Sequence, residues 1–145
     1  MAIRFAEAEW TGSVREGAGR ISLGSGAFSG PYSFKARTEE SRDTNPEELI
    51  GGAHAGCFTM ALSAALTRAG HAPEHIRTRA DVHLRIEAGG LEITRIDLST
   101  RARVPGIDAA KFRELAEGAK KNCPVSRALA SVEITLDAQL EPKVA

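Results

Sequence analysis

Apolar and polar positions alternate from the start of the chain. Ala6, Ala8, Trp10, Gly12 and Val14 interleave with Glu7, Glu9, Thr11 and Ser13, the period-two pattern of a strand with one wet face. Turn chemistry from Glu16 to Gly19 and a resumed Ile21, Leu23 alternation predict a hairpin, followed by a glycine- and serine-rich loop from Gly24 to Gly30. Tyr32, Phe34 and Ala36 then alternate with Ser33, Lys35 and Arg37. That spacing predicts a third strand, with Arg37 on the face opposite the aromatic residues.

The period changes after a polar loop, residues 38–44. From Leu49 to Leu66 there is no Asp, Glu, Lys or Arg, so a helix here has no charged face and belongs inside something. Its start is well marked. Asn45 can cap it, Pro46 suits the first position, where no donor is needed, and Glu47 and Glu48 suit the positive end of the dipole. Its end is expected near Gly70, with Pro73 close behind. The run approaches the length of a bilayer span. Three glycines, His54, Thr59 and Ser63 dilute it, however, and the flanks read as soluble elements, so a protein core is the expected solvent. Gly52 and Gly56 share one face and would let another backbone come close, within or between chains.

Period two returns with Val82, Leu84, Ile86 and Ala88. A turn at Ala88-Gly89-Gly90 leads into a partner strand whose apolar parity shifts between Ile93 and Ile96, which predicts a bulge there. Pro105-Gly106 ends the strand, and Asp108 caps a second helix with an apolar stripe of Phe112, Leu115, Ala116 and Ala119. Lys120 and Lys121 suit the end of that helix. Cys123-Pro124 opens a short third helix to about Ala130. Val132, Ile134, Leu136, Ala138 and Leu140 form a closing strand. The fold class is therefore α+β: a mostly antiparallel sheet with a long buried central helix and two further helices.

The 145 residues are sized for a single domain, residues 1–145. Lys plus Arg and Asp plus Glu number 19 each, which leaves no basic excess to hold a nucleic acid or a membrane surface. MAIRFAEAEW has two glutamates where a signal peptide needs an apolar segment, so a cytoplasmic location is expected. In that compartment the two cysteines, Cys57 and Cys123, form either a transient pair or two unrelated core residues.

Chemistry comes down to two thiols and one arginine. Cys57 in an apolar helix is, on its surroundings alone, a small core residue. Cys123 lies at a helix start, where the dipole favours thiolate, so helix-end logic makes it the more acidic thiol. Cys57 would need an outside cation, for which Arg37 is the candidate. His54, one turn before Cys57, could serve as a base or a metal ligand, but two cysteines and one histidine fall short of a usual zinc site. His71, His75 and His83 have no metal-ligand spacing.

TNPEELIGGAHAGCFTMAL, the later CPVSRAL and the closing VEITLDAQL together resemble the OsmC/Ohr family, the osmotically inducible and organic hydroperoxide resistance proteins, and more closely its OsmC-like branch. AEWTGSVREGAGRISLGSG and VPGID extend the resemblance over nearly the whole chain. Val125 stands where the Ohr branch usually has tyrosine, and Gly52 and Gly56 where alanine is common. The resemblance implies an intertwined homodimer and a cysteine-based peroxidase without haem, flavin or metal. Its substrate would be a small-molecule organic hydroperoxide, with hydrogen peroxide taken less specifically. It also implies Cys57 as the peroxidatic cysteine, Cys123 as the resolving one in an intrachain disulfide, and Arg37 with Glu47 as the supporting pair. The external reductant would be a dithiol, of lipoyl type in the family.

In one straight helix Glu47 and Cys57 are ten residues and so about 15 Å apart, on different faces. They share one site only if the helix kinks or the glutamate comes from another chain; the intertwined dimer that the resemblance implies favours the second, with Arg37 and Glu47 of one chain serving Cys57 of the other. Two other readings stand beside the peroxidase: a cysteine hydrolase using Cys57 with His54, and a redox sensor or apolar-ligand carrier without turnover.

Overall fold

The computed structural model describes residues 1–142, and the chain falls into two compact units, Met1–Leu49 and the part from Ile50 onward. The first unit is a three-stranded antiparallel sheet, β1 (Ala6–Thr11), β2 (Ala18–Leu23) and β3 (Ser29–Tyr32), in that order. The expected hairpin is present. Trp10 and Tyr32 meet edge to face across β2, with ring centroids 5.3 Å apart, directly over Gly19, whose missing side chain leaves room for both rings. β1 forms where expected but stops at Thr11, short of Val14, and within one chain both of its faces are exposed along nearly its whole length.

The third strand is shorter than the alternation predicts. It ends at Tyr32, and Lys35–Thr38 form a single helical turn, α1, so Arg37 lies on a turn and not on a strand face. Local hydrogen bonds account for the difference. Ser33 Oγ accepts from the Ala36 N–H at 3.1 Å, and the Asn45 amide donates to the Ala36 carbonyl at 2.9 Å, which satisfies backbone groups that a strand would have needed a neighbour to satisfy.

The central helix, α2 (Pro46–Arg68), starts and stops where expected. Asn45 Oδ1 accepts from the Glu48 N–H at 2.8 Å. At the other end Gly70 takes φ +86°, which lets the His71 and Gly70 amides close back on Leu66 and Thr67. Within one chain the helix is not buried all round. Phe58, Leu62 and Leu66 are fully buried, while Gly52, Ala53, Gly56, Met60 and Ala64 are exposed. By length and composition α2 could also cross a membrane, with 28% of its most apolar stretch buried inside the chain.

The second unit holds the core. β4 (His75–Glu87) and β5 (Gly90–Arg103) form a long antiparallel hairpin. His83 pairs with Arg95 and Leu84 with Ile93, so Thr94 is the extra residue of the predicted bulge. α3 (Ala109–Asn122) is capped by Asp108, which accepts from the Lys111 N–H at 2.8 Å. It is followed by α4 (Pro124–Ala128), which stops two residues short of the expected end, and by β6 (Glu133–Leu140). β6 joins β5 in parallel, and α3 and α4 supply the crossover that a parallel neighbour requires. Ile96, Leu98 and Ala102 of β5 pack with Phe58, Leu62 and Leu66 of α2 and with Phe112, Ala116 and Ala119 of α3. Buried Thr100 is satisfied by Thr78 Oγ1 at 2.9 Å.

Candidate functional site

Two clusters of site residues form, one in each unit. In the first, Arg37 on α1 grips Glu47 in the first turn of α2. The guanidinium donates from Nε at 3.1 and 3.2 Å and from Nη2 at 2.5 Å, a two-pronged, charge-assisted pair. Glu47 is buried, and the Arg37 side chain keeps about a quarter of its exposure. Asn45 builds this geometry twice over, by capping α2 below Glu47 and by holding the Ala36 carbonyl next to Arg37. Arg37 also lines a cavity of about 360 Å³ with Trp10, Val14, Tyr32, Phe34 and Pro46. The expectation that Arg37 turns away from the aromatic residues is therefore corrected. The helical turn swings it round to their side, which strand alternation could not have done.

In the second unit Cys57 of α2 meets Cys123, the residue between α3 and α4. Both are free thiols; Cys57 is half-buried and Cys123 fully buried. Pro124 at the first helical position sets the Val125 and Ser126 amides free to point at sulfur. Burial raises the Cys57 pKa above that of an ordinary thiol, and its hydrogen bond to Cys123 raises it further against one donor, the Val125 N–H. Burial pushes Cys123 up as well. Hydrogen bonds from the Cys57 thiol, the Ser126 N–H and hydroxyl and the Val125 N–H outweigh it, so Cys123 lies below the ordinary value. The more acidic thiol is thus the one at the helix start, as helix-end logic predicts. No cation is among the causes acting on either sulfur.

His54 is fully buried, and its Nε2 lies 2.7 Å from Ser126 Oγ. Its imidazole is thus engaged with Ser126 and not with Cys57, which removes the base from the hydrolase reading. Ser126 is the residue that sequence reasoning missed. A serine 72 positions from His54 carries no local signal; only the packing of α4 against α2 joins them.

The comparisons with known proteins bear on this arrangement. The family model for OsmC-like protein matches residues 38–137, more than half of the chain, and takes in Glu47, Cys57 and Cys123. The chain belongs to the OsmC family. Peroxiredoxin OsmC of Escherichia coli (strain K12) is 48% identical over 136 residues, 93% of this chain and 94% of that protein. An organic hydroperoxide resistance protein of Xanthomonas axonopodis pv. citri (strain 306) is 30% identical over 95 residues, 64% of this chain and 65% of its own.

Solved OsmC-family structures share the α+β fold. An OsmC-like protein of unknown function from Vibrio cholerae O1 superposes with a TM-score of 0.76 at 15% identity, over 95% of this chain and 99% of that one. An organic hydroperoxide resistance protein from Elizabethkingia anophelis gives 0.73 at 21%, over 98% and 99%.

Proposed function

We propose that this protein is a thiol-dependent peroxidase that reduces organic hydroperoxides, and hydrogen peroxide less specifically, through Cys57 and Cys123. The observation that carries the reading is the meeting of two free thiols, 66 residues apart in sequence, in a chain of the OsmC family. Relatives named peroxiredoxin and hydroperoxide resistance protein support a peroxide-related role.

Access supports the order of events in this reading. Cys123 has no exposed surface, whereas Cys57 is partly open, so a peroxide reaches Cys57. Its thiolate attacks a peroxide oxygen, an alcohol departs, and Cys57 is left as sulfenic acid. Cys123 condenses with it, water leaves, and an intrachain disulfide protects Cys57 from further oxidation. An external dithiol, of lipoyl type, then reduces the bridge by exchange.

The raised Cys57 needs a cation to ionise, and Arg37, oriented by Glu47, is the group suited to supply it and to polarise the peroxide. α2 is one unbroken helix, so Glu47 and Cys57 stand about 15 Å apart along it. The reading therefore takes Arg37 and Glu47 from one chain and Cys57 from a second copy, giving two composite sites in a homodimer of single-domain chains. Two features support it. The exposed side of α2 is uncharged, and the apolar cavity beside Arg37 suits a bulky organic tail.

Steady-state turnover of cumene hydroperoxide and hydrogen peroxide, with dihydrolipoamide set against monothiols, tests the activity. Cys57→Ser is expected to abolish it, and full activity in that variant would overturn the assignment. Mixing Cys57→Ser chains with Arg37→Ala chains tests the shared site. Heterodimers regain one working site if the site is shared, and none if each chain serves itself.

A further inference from the structure

The peroxidase reading leaves a fully buried imidazole without a task. His54 Nδ1 has no hydrogen-bond partner, while Nε2 has one at 2.7 Å in Ser126 Oγ. A buried ring nitrogen without a partner is better left bare than protonated, because an orphaned N–H is the costlier loss. That places the ring proton on Nε2, where it donates to Ser126. The Ser126 oxygen is then occupied as an acceptor, and its own hydrogen is free for the sulfur of Cys123, the N-cap of the same helical turn, where a hydroxyl donor favours the thiolate. Ser126 is itself buried, so water is poorly placed to compete.

We propose that His54 and Ser126 form a one-way hydrogen-bond chain that presents Cys123 as the attacking thiolate in disulfide closure. The proposal rests on the peroxidase reading and assigns roles within its second step. Ser126 touches a reacting atom and is catalytic. His54 acts through it and is a positioning residue, fixing a hydroxyl that would otherwise rotate among acceptors.

The step balances without an outside oxidant. The Cys123 thiol, which has no exposed surface, first gives its proton to the sulfenic hydroxyl of Cys57. The Cys123 thiolate then attacks the Cys57 sulfenic sulfur, the S–S bond forms with the electron pair from Cys123, and the S–O bond of Cys57 breaks. The hydroxyl, carrying that proton, leaves as water. Cys57, at the sulfenic level, is reduced by one electron pair shared with Cys123, which is oxidised to the disulfide level.

The test separates the two steps in the full-length protein. Reduced protein is mixed with one equivalent of cumene hydroperoxide, Cys57 sulfenic acid is trapped with dimedone, and disulfide closure is followed by mass spectrometry. Ser126→Ala, which nearly conserves volume, is expected to leave sulfenic acid formation within about twofold and to slow closure about tenfold, the scale of a lost hydrogen bond to a charged group. His54→Leu should slow closure to a similar degree. His54→Gln, whose amide can still donate to Ser126, should restore most of the rate.

The double variant Ser126→Ala/His54→Leu should close no more slowly than Ser126→Ala alone, because His54 acts only through the hydroxyl. A merely structural histidine would instead give additive losses in both steps. Closure at the native rate in Ser126→Ala, or a further slowing by His54→Leu in its background, overturns the proposal. A native protein in which one equivalent of peroxide yields neither sulfenic acid nor disulfide at Cys57 overturns the peroxidase reading itself, and this proposal with it.

Discussion

Asp97 ties three strands together at one carboxylate. Thr135 Oγ1 of β6 donates to it at 2.6 Å, His83 Nε2 of β4 lies at 2.7 Å, and Arg95 of its own strand reaches it at 3.0 Å. The Thr135 hydroxyl holds its pKa below the usual carboxylate value, against a burial effect that raises it, and His83 and Arg95 add to the lowering. A carboxylate lowered in the fold stabilises the protein above the unfolded pKa of about 3.9, and that stability is lost as pH falls through the folded value. Asp97→Asn is therefore expected to cost about 1 kcal/mol at pH 7 and much less at pH 3. Urea unfolding at the two pH values checks this; an equal loss at both would show that the charge is not what matters.

His54 has the same sign for a different reason. Burial alone lowers its pKa, so it is neutral in the fold, and its contribution is complete above about 6.5 and lost as pH falls through the folded value. His54→Gln should flatten the loss of stability between pH 7 and 5, measured by the same unfolding midpoints.

At the scale of elements, the α1 turn and the start of α2 are one device. Asn45 caps α2 and anchors Ala36 beside Arg37, so its side chain serves stability and site geometry together. Asn45→Ala is expected to cost about 1 kcal/mol as a lost cap, or a few degrees in Tm. Because Arg37 loses its support too, kcat/KM for cumene hydroperoxide should fall at least about tenfold. A loss of stability with no loss of activity would show that Arg37 is held by Glu47 alone.

The cap of α2, its glycine stop and the β5 bulge were all legible, because each is set by residues within a few positions of one another. The α1 turn was not. Its hydrogen bonds come partly from Asn45, nine residues beyond Ala36, and the local alternation read equally well as strand. The parallel join of β6 was equally hidden, since strand direction depends on where the crossover lands and not on the strand's own pattern.

For the whole molecule, the uncharged α2 is the feature that one chain leaves unexplained. Phe58, Leu62 and Leu66 fill the core of the second unit, but the Gly52, Gly56 and Met60 side stays open, with nothing within 4 Å of where a Cβ on either glycine would lie. This is the face that the proposed homodimer would cover. A Cβ at Gly56 meets nothing within 4 Å in its own chain, so the monomer fold should survive Gly56→Leu, with helix propensity gaining roughly 0.5–1 kcal/mol. In a dimer packed through this face it should weaken association, and sedimentation equilibrium measures that directly. Association unchanged from the parent protein would rule this face out as the proposed interface.

The sequence alone determined the elements other than α1, the helix caps and stops, the thiols, and the family pattern, because these depend on short-range periodicity and on residue chemistry that neighbours do not alter. Tertiary structure decided which distant residues share an environment: Arg37 with Glu47 through a helical turn, Cys57 with Cys123, and Ser126 with His54. It also decided that Cys123 ionises more readily than Cys57. The physical reason is the same in each case. Burial and hydrogen-bond partners set a side chain's chemistry, and both come from segments that meet only when the chain packs.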